Sequence, residues 1–592
     1  MKYPMPKSSK LLVINDFKGV DFTSSSVDKK RSGNAYNVIN NNGYIESRPS
    51  YELLKKIGNK INGSWNVDTK SGDYFLIHSG TKLYQVTSDF SSYVEVCSNL
   101  NDVKSTGQYI NGYLIIIDGK RNIIFGNFGN SYEARYLDEC GTIPITTIGM
   151  SPSGGGKSYQ PINMASKYRI NMIRGTAEDT VYNLNDTNLD DNSDVLIQLL
   201  TLDGWEVLDS SEYTVDYVNG KVTFKIAPGE TPLNEEDNVS IRYCKTNTEY
   251  LDILNNCTIS TVFGYNGNDD RIFITGNKNF KNMVWYSYSN DVTYFPDINY
   301  IQVGQEEINN FTRINSGKLG IQKPKSDSDS TIYYLESAIF NNEEVFPLTA
   351  GVKTIGCIGK YANSNLVNDP LTLTEQGVFA IVSSDNEKFA MLRSYYVNGK
   401  LLKEKNLEEA VAISFKGKYY LAINNNVYIA DSRFKSYAKN SQTEDYQYEW
   451  YFWKDIPVRV WFIFNNELYF GTETGDICKI NDVQNNEDNF ESYFETPPLS
   501  LDSTVLNKTI KKVGLIYKNN SEFEFGYITP DGEEKIIDLK SGETDFPVVI
   551  LEKEKIRKFL YIKFFVRSKK RLTLEQLNVE YVYSGRYKGE WL

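Results

Sequence analysis

Residues 411–430 read VAISFKGKYYLAINNNVYIA, and the fold class is inferred from this pattern. Three apolar runs are separated by two short polar turns, at 416–417 and at 424–425. Turns this short join antiparallel neighbours, and the runs are rich in Tyr, Val, Ile and Phe, which favour pleated surfaces. The stretch therefore predicts three strands of one small antiparallel sheet.

Six further stretches have the same strand–turn–strand pattern, and helical signals are scarce. A sheet of this size cannot bury both faces alone, so repeats spaced about 40 to 60 residues apart are typical of a β-propeller. We expect an all-β chain with an irregular β-propeller of six to eight blades; a set of unrelated antiparallel sandwiches is the alternative. The six stretches are 74–86, 112–126, 262–276, 317–334, 371–381 and 460–480.

Two regions fall outside this series and predict further domains. Between the second and third repeats, strands alternate at period 2 around an Asn219-Gly220 turn, which predicts an inserted β-sandwich at 141–250. More strands follow Pro497-Pro498 and predict a C-terminal β-sandwich at 497–592. The rest divides into an N-terminal hairpin with the first propeller blades at 1–140 and the remaining blades at 251–496.

Composition excludes several functions. The net charge of −12 and a pI near 5.1 exclude a global electrostatic attraction to nucleic acid. One histidine, His78, excludes a His-rich zinc site, and its place in an apolar strand favours a structural role. Six widely spaced cysteines without a CxxC pair predict buried free thiols in a chain made in a reducing cytoplasm. No apolar leader or run of membrane-spanning length occurs, so we expect a soluble protein.

No motif predicts a catalytic, cofactor or metal site. The stretch 151–158 resembles a phosphate-binding loop but has Ser151 where the motif needs Gly, and we interpret it as a flexible connector. The Asp- and Asn-rich stretch 186–194 could bind calcium, but it lacks the Gly and Glu of an EF-hand, and a solvated turn is favoured. The stretch 266–270 is interpreted as a hairpin turn.

The N-terminal segment carries a more specific pattern. Asp16-Phe17-Lys18-Gly19-Val20 is followed by Asn34-Ala35-Tyr36-Asn37 and then by a Gly43 turn and an Arg48-Pro49 exit. Further phrases include Trp285-Tyr286-Ser287 and Tyr294-Phe295-Pro296-Asp297. Together they resemble tailed-bacteriophage tail nozzle, tail-hub and packaged-DNA stabilisation proteins, which are β-propeller virion proteins. The residues that carry the resemblance, with a structural role, are Phe17, Lys18, Gly19, Asn37, Gly43, Arg48, Pro49, Trp285, Phe295 and Pro296.

The resemblance implies a non-enzymatic part of the phage tail, made in the host bacterial cytoplasm. Such a protein forms a ring, commonly of six copies, below the portal and adaptor. It extends the DNA channel, helps retain the genome and attaches fibres or spikes. The acidic balance is compatible with double-stranded DNA passing without sequence-specific binding. The alternative is a carbohydrate-binding or glycan-cleaving β-propeller, such as a receptor-binding protein.

Overall fold

Strands dominate this chain. A computed structural model describes residues 8–69, 72–129, 131–190, 194–230, 236–314, 317–383, 388–437, 446–481, 490–518, 521–537 and 556–586. The chain folds into two compact units. The first unit is Met1–Ile61, Thr312–Ser316 and Gly351–Leu592; the second unit is Asn62–Phe311 and Gly317–Ala350.

Four blades lie in the second unit, each a four-stranded antiparallel sheet whose strands follow one another along the chain. Two of these strands cross the unit boundary: Ile61–Thr69 begins with the last residue of the first segment of unit 1, and Asn310–Ile314 begins in the second unit and runs past its boundary. Blade 1 is Ile61–Thr69, Gly72–Ser79, Lys82–Val86 and Tyr93–Ser98; blade 2 is Thr106–Ile110, Tyr113–Ile117, Ile123–Asn127 and Tyr132–Tyr136; blade 3 is Ile259–Phe263, Arg271–Thr275, Met283–Tyr286 and Tyr300–Gln302; blade 4 is Asn310–Ile314, Lys318–Gln322, Ile332–Leu335 and Leu348–Ala350. A hairpin, Ala338–Phe340 and Glu343–Val345, extends from blade 4.

Three more blades lie in the first unit. The last of them takes its outer strand, Tyr51–Lys56, from near the start of the chain, with Tyr51 opposite Ile480. Blade 5 is Ser364–Leu366, Asp369–Thr374, Gly377–Ser383 and Lys388–Leu392; blade 6 is Val411–Phe415, Lys418–Ile423, Asn426–Tyr437 and Tyr446–Trp453; blade 7 is Val460–Phe464, Glu467–Gly471, Asp476–Ile480 and Tyr51–Lys56. Within the described residues this gives seven blades, one for each of the seven repeats in the sequence, and the all-β propeller class is confirmed.

Aromatic side chains fill the space between blades 6 and 7. Blades 6 and 7 meet at a cluster in which the ring of Tyr420 lies 5.9 Å from both Trp453 and Trp461, measured between centroids. The ring of Trp461 also contacts Phe470 edge to face. Such pairs add to the free energy of area burial, so Tyr and Trp hold sheet against sheet where smaller side chains would leave gaps.

The inserted β-sandwich lies in the second unit between blades 2 and 3. One sheet is Ile145–Met150, Lys157–Ser158, Tyr168–Ile173, Leu196–Thr201, Gly204–Val207 and Val239–Cys244; the other is Val181–Asn183, Tyr213–Asp216 and Lys221–Phe224. Its own core includes Ile173, Tyr182, Ile197, Val222 and Ile241. The prediction of a flexible connector at 151–158 was wrong, because this stretch is a hydrogen-bonded turn and strand. Gly154 donates its N–H to the Ser151 carbonyl at 2.9 Å, and Lys157–Ser158 pairs with the strand Ile145–Met150.

The C-terminal β-sandwich is built from both ends of the chain. One sheet is Lys10–Ile14, Val38–Asn41, Tyr44–Ser47, Leu506–Tyr517, Arg557–Phe559 and Thr573–Arg586; the other is Ser492–Glu495, Glu524–Ile528, Glu534–Ile537 and Lys563–Ser568. The strand Lys10–Ile14 pairs with Thr573–Arg586 through Ile14 opposite Leu577. The predicted N-terminal hairpin, which was grouped with the first blades in 1–140, therefore belongs to this sandwich. The other predicted domain limits stay predictions.

Helices are few among the described residues. The two α-helices are Thr248–Asn255 and Tyr395–Leu401, and short 3₁₀ turns are Leu137–Glu139, Ser210–Glu212, Tyr265–Gly267 and Leu407–Glu409. The turn Tyr265–Gly267 joins two paired strands, as the hairpin prediction at 266–270 requires. In the described part of the chain, no helix has the length and apolar character needed to cross a membrane.

The first β-strand offers a matched pair of substitutions. Ile14 is 1% exposed in the sandwich core, whereas Leu11 on the same strand is 65% exposed. We expect Ile14→Ala to lower the free energy of unfolding by about 3 kcal/mol, because it leaves a cavity, and Leu11→Ala to change it by less than about 0.5 kcal/mol. Urea denaturation of the full chain measures both. Equal effects would contradict the placement of this strand in the core.

Candidate functional site

The residues of the N-terminal phrase form a buried joint, which we call the hairpin joint: 16–20, 31–49, 449–454 and 490–494. Phe17 is fully buried and its ring contacts Phe494 edge to face at 5.4 Å between centroids. Gly19 lies directly on blade 6, where an added Cβ would stand 2.1 Å from the carbonyl oxygen of Trp450. Val20 then donates its N–H to that same carbonyl at 2.8 Å. Gly19 is therefore required for close approach of two backbones.

Asn37 is the polar centre of the hairpin joint. It has a φ of 56°, in the left-handed region that Asn tolerates better than most residues. Its Oδ1 accepts hydrogen bonds from Arg48 Nε at 3.0 Å and from the Lys454 N–H at 2.8 Å. Its Nδ2 donates to the Glu491 carbonyl at 2.8 Å. One amide side chain thus connects the hairpin, blade 6 and the terminal sandwich.

The other predicted residues of the phrase support this centre. Arg48 is 1% exposed, its guanidinium lies 3.8 Å from the centroid of the Phe490 ring, and Nη1 donates to the Pro49 carbonyl at 2.8 Å. Gly43 has a φ of +97° at the hairpin turn, and its carbonyl accepts the Phe17 N–H at 2.8 Å. Lys18 is half-buried and donates its backbone N–H to the Lys30 carbonyl at 2.7 Å.

A buried ion pair, Arg31 with Glu449, reinforces the hairpin joint and was not predicted from the sequence. The Arg31 Nε donates to Glu449 Oε2 at 3.0 Å, Ser436 donates to Oε1 at 2.6 Å, and the Gly19 N–H points at Oε2 from 3.3 Å. Burial alone lowers the pKa of Arg31, but the hydrogen bond to Glu449 raises it above its ordinary value. Charges paired 418 positions apart leave no local signal in the sequence.

The second phrase anchors the inserted sandwich within the second unit. Trp285 is 4% exposed and shares a core with Phe295. The Phe295 N–H donates to Asn163 Oδ1 at 2.9 Å, and the Met164 N–H donates to the Phe295 carbonyl at 2.8 Å. Pro296 is buried and forms an isolated antiparallel bridge with Asn163. The structure therefore brings Phe295 and Pro296 onto the segment that leads from the first hairpin of the insert.

His78 is fully buried in blade 1, as a structural histidine would be. The Gly80 carbonyl can only accept, so Nε2, which lies 3.0 Å from it, carries the proton. The Ser105 hydroxyl then donates to Nδ1 at 2.8 Å. This Ser–His contact was not predicted from the sequence. The other ring nitrogen of His78 faces the Gly80 carbonyl, whereas a catalytic triad would place a carboxylate there.

The predicted solvated turn at 186–194 is only partly described, since Asp191 and Asn192 lie outside the described residues. Asp186 accepts a hydrogen bond from Arg169 Nη1 at 2.6 Å, and Asp190 accepts one from the Thr246 hydroxyl at 2.7 Å. These carboxylates are thus occupied by protein donors. No group of three or more His, Cys, Asp or Glu side chains that could hold a metal ion occurs in the described part of the chain.

The thiols are less uniformly buried than expected. Cys244, Cys257, Cys357 and Cys478 are buried, whereas Cys97 and Cys140 are half-buried, and all six are free. Burial raises the pKa of the Cys140 thiol to about 11, so it stays protonated near neutral pH. Protonated thiols are poor nucleophiles, which agrees with a structural role.

A cavity of about 560 Å³ lies between the inserted sandwich and the loop that follows Pro296 in blade 3. Its lining residues include Arg169, Asp186, Tyr159, Asp297 and Ile298. Asp186 Oδ2 also accepts the Tyr243 hydroxyl at 2.7 Å. A volume of this size is in the range of small-molecule sites.

Comparison with known proteins gives no assignment. No family model and no curated protein matches the sequence. The structure is similar to Trichoderma reesei Carbohydrate-Active Enzymes Family AA12 at 7% identity and a TM-score of 0.29, covering 77% of this chain and 100% of that one. It is similar to exo-β-1,3-galactanase from Phanerochaete chrysosporium at 8% identity and a TM-score of 0.19, covering 89% and 100%. Likeness this weak carries no argument about binding or activity.

Gly19 and Gly33 in the N-terminal segment offer a matched pair of Gly→Ala substitutions, one at a close backbone contact and one without such a contact. We expect Gly19→Ala to lower the free energy of unfolding by about 3 kcal/mol, since its Cβ would collide with the carbonyl of Trp450 and force blade 6 and the hairpin apart. Gly33→Ala meets only ordinary contacts at 3.6 Å and beyond, so its effect should stay within about 0.5 kcal/mol. Thermal and urea denaturation measure both variants. A free energy of unfolding that is unchanged in Gly19→Ala would contradict the close packing of the hairpin on blade 6.

Asp186 gives stability a pH dependence of definite sign. Burial by itself raises the pKa of Asp186, but the hydrogen bond from Tyr243 and the charge of Arg169 hold it below the ordinary 3.8. A lowered pKa contributes stability above the ordinary value and loses it as the pH falls through the folded value. We expect Asp186→Asn to destabilise the protein near pH 7 and to flatten the loss of stability below about pH 4.

Urea denaturation between about pH 3 and pH 7 measures this effect. Asp203→Asn is the control, because Asp203 is exposed on a turn of the same sandwich. An unchanged acid limb in Asp186→Asn, or the same change in both variants, would contradict the role assigned to the ion pair.

Proposed function

We propose that this chain is a non-enzymatic structural protein of a tailed-bacteriophage virion. It forms a ring in the tail as a nozzle or hub component, below the portal and adaptor. The ring, of six copies, extends the DNA channel, helps retain the packaged genome and attaches fibres or spikes. The chain is made in the cytoplasm of the host bacterium.

The observation that carries this proposal is the location of the phrase residues. Phe17, Gly19, Asn37 and Arg48, on which the resemblance rests, are buried and hold the first hairpin against blade 6 and the terminal sandwich. Buried residues that fix one conformation suit a structural protein of a virion, because such a protein has to keep its shape under mechanical stress.

The charge of the chain supports the same proposal. With a net charge of −12, the protein has no excess of cations to hold phosphates. A channel wall of this character repels double-stranded DNA weakly and lets it slide without sequence-specific binding. The partners in this proposal are copies of the chain, the portal or adaptor, fibres or spikes, and passing DNA.

The alternative, a carbohydrate-binding or glycan-cleaving β-propeller, divides into two parts. Cleavage needs a pair of carboxyl groups, one of which is protonated near neutral pH. Asp186, whose pKa Tyr243 and Arg169 hold below its ordinary value, suits only the ionised role in such a pair. Binding without cleavage has a specific observation in its favour, the cavity beside Arg169, and does not compete with a virion role.

The virion proposal is tested by mass and by location. We expect native mass spectrometry of the purified full-length chain to give a ring, with six copies as the leading species. We also expect the protein in purified virions of the phage that encodes it, in a copy number equal to that of the ring.

The infected-cell lysate cleared of particles is the control, since it separates virion-borne protein from protein that is merely expressed. A chain that remains monomeric at every concentration and is absent from purified virions would overturn the proposal. Loss of the ring in a folded variant that lacks exposed apolar side chains would identify its interface.

A further inference from the structure

Arg169 is the buried charged side chain among the residues that line the cavity. It is 6% exposed on the strand Tyr168–Ile173, and its Nη1 donates to Asp186. Its Nε is buried and has no hydrogen-bond partner within the described part of the chain. A buried donor without an acceptor costs free energy. Because Nε is closed to solvent, a bound molecule supplies the missing oxygen only when the Arg169 side chain turns toward the cavity.

The charges around the cavity determine whether a charged or a neutral ligand can supply this oxygen. Asp186 and Asp297 line it together with Arg169. Lys245 lies 3.6 Å from Asp186 on the other side of that carboxylate. Since the positive charge is already balanced by carboxylates, an anionic ligand would meet no net attraction. A neutral molecule with hydroxyl groups satisfies both the donors and the acceptors.

Two exposed side chains of the lining favour the same chemistry. Tyr159 is 60% exposed and Ile298 is 66% exposed, so the cavity offers an aromatic and an aliphatic side chain as well as polar groups. Thr146, Ser158 and Gln160 add hydroxyl and amide groups to the lining. A sugar ring has one face of C–H groups that stacks on aromatic rings and an edge of hydroxyls that bind polar groups.

We propose that this cavity binds a neutral saccharide, with Tyr159 as the stacking platform. On binding, the Arg169 side chain turns toward the cavity and its Nε donates a hydrogen bond to a ring or hydroxyl oxygen. The site lies wholly in the second unit, between the inserted sandwich and blade 3. It assigns the insert a binding role that does not depend on whether the chain belongs to a virion. Binding involves no covalent step.

Screening the full-length chain on an array of neutral, acidic and amino-sugar glycans tests this assignment, followed by calorimetry with the best neutral glycan. We expect Tyr159→Ala to weaken binding at least about tenfold, because the stacking face is lost. Trp205→Ala is the matched control: Trp205 is 41% exposed on the same sandwich and does not line the cavity, so affinity should change less than about twofold.

A second variant tests the donor. Arg169→Lys keeps a cation beside Asp186 but removes Nε, and we expect it to weaken binding by about tenfold while circular dichroism shows a folded chain. If that variant fails to fold, Tyr159→Ala alone decides, because its side chain is largely exposed. The absence of any neutral-glycan binding, a preference for acidic glycans, or affinity unchanged by Tyr159→Ala would each overturn the proposal. A failed ring assay would leave this result untouched.

Discussion

Two antiparallel strand pairings hold the first unit together, and each joins the N-terminal 60 residues to a strand more than 400 positions later. Lys10–Ile14 runs beside Thr573–Arg586, and Tyr51–Lys56 completes blade 7 beside Asp476–Ile480. Each pairing covers backbone N–H and C=O groups that would otherwise form an open edge. The entropic cost of closing a loop rises only about 0.6 kcal/mol for each doubling of its length, so pairing distant segments is affordable for a large fold.

The hairpin joint follows from these pairings. Between its two paired strands, the N-terminal segment has to cross blade 6, and there is room for a backbone but not for a side chain at Gly19. The turn back requires the left-handed conformation at Asn37, whose amide then satisfies groups from three elements at once. The phrase residues are therefore consequences of one path of the chain, which explains why glycine, asparagine and arginine occur together in it.

Local patterns predicted the local parts of this structure. Each of the seven repeats is one blade, because strand alternation and two-residue turns are encoded within about 20 residues. Contacts between distant segments left no such signal. The Arg31–Glu449 pair spans 418 positions, and the predicted N-terminal hairpin, which was grouped with the first blades in 1–140, pairs with the strand Thr573–Arg586. The cavity was missed for the same reason, since Arg169, Asp186 and Ile298 come from three separate stretches.

The inserted sandwich shows that a second domain can be inserted between two propeller blades while the two blades stay in contact. Blades 2 and 3 stay joined by direct contacts, including Gln108 Nε2 donating to the Ser260 carbonyl at 3.0 Å. The insert is fixed at its base, where buried Asn163 donates to the carbonyls of Thr142 and Thr293, both at 2.8 Å. Because one amide ties the entry strand of the insert to the loop of blade 3, the walls of the cavity are held by the same bonds that anchor the domain. A ligand site in that position needs no separate scaffold.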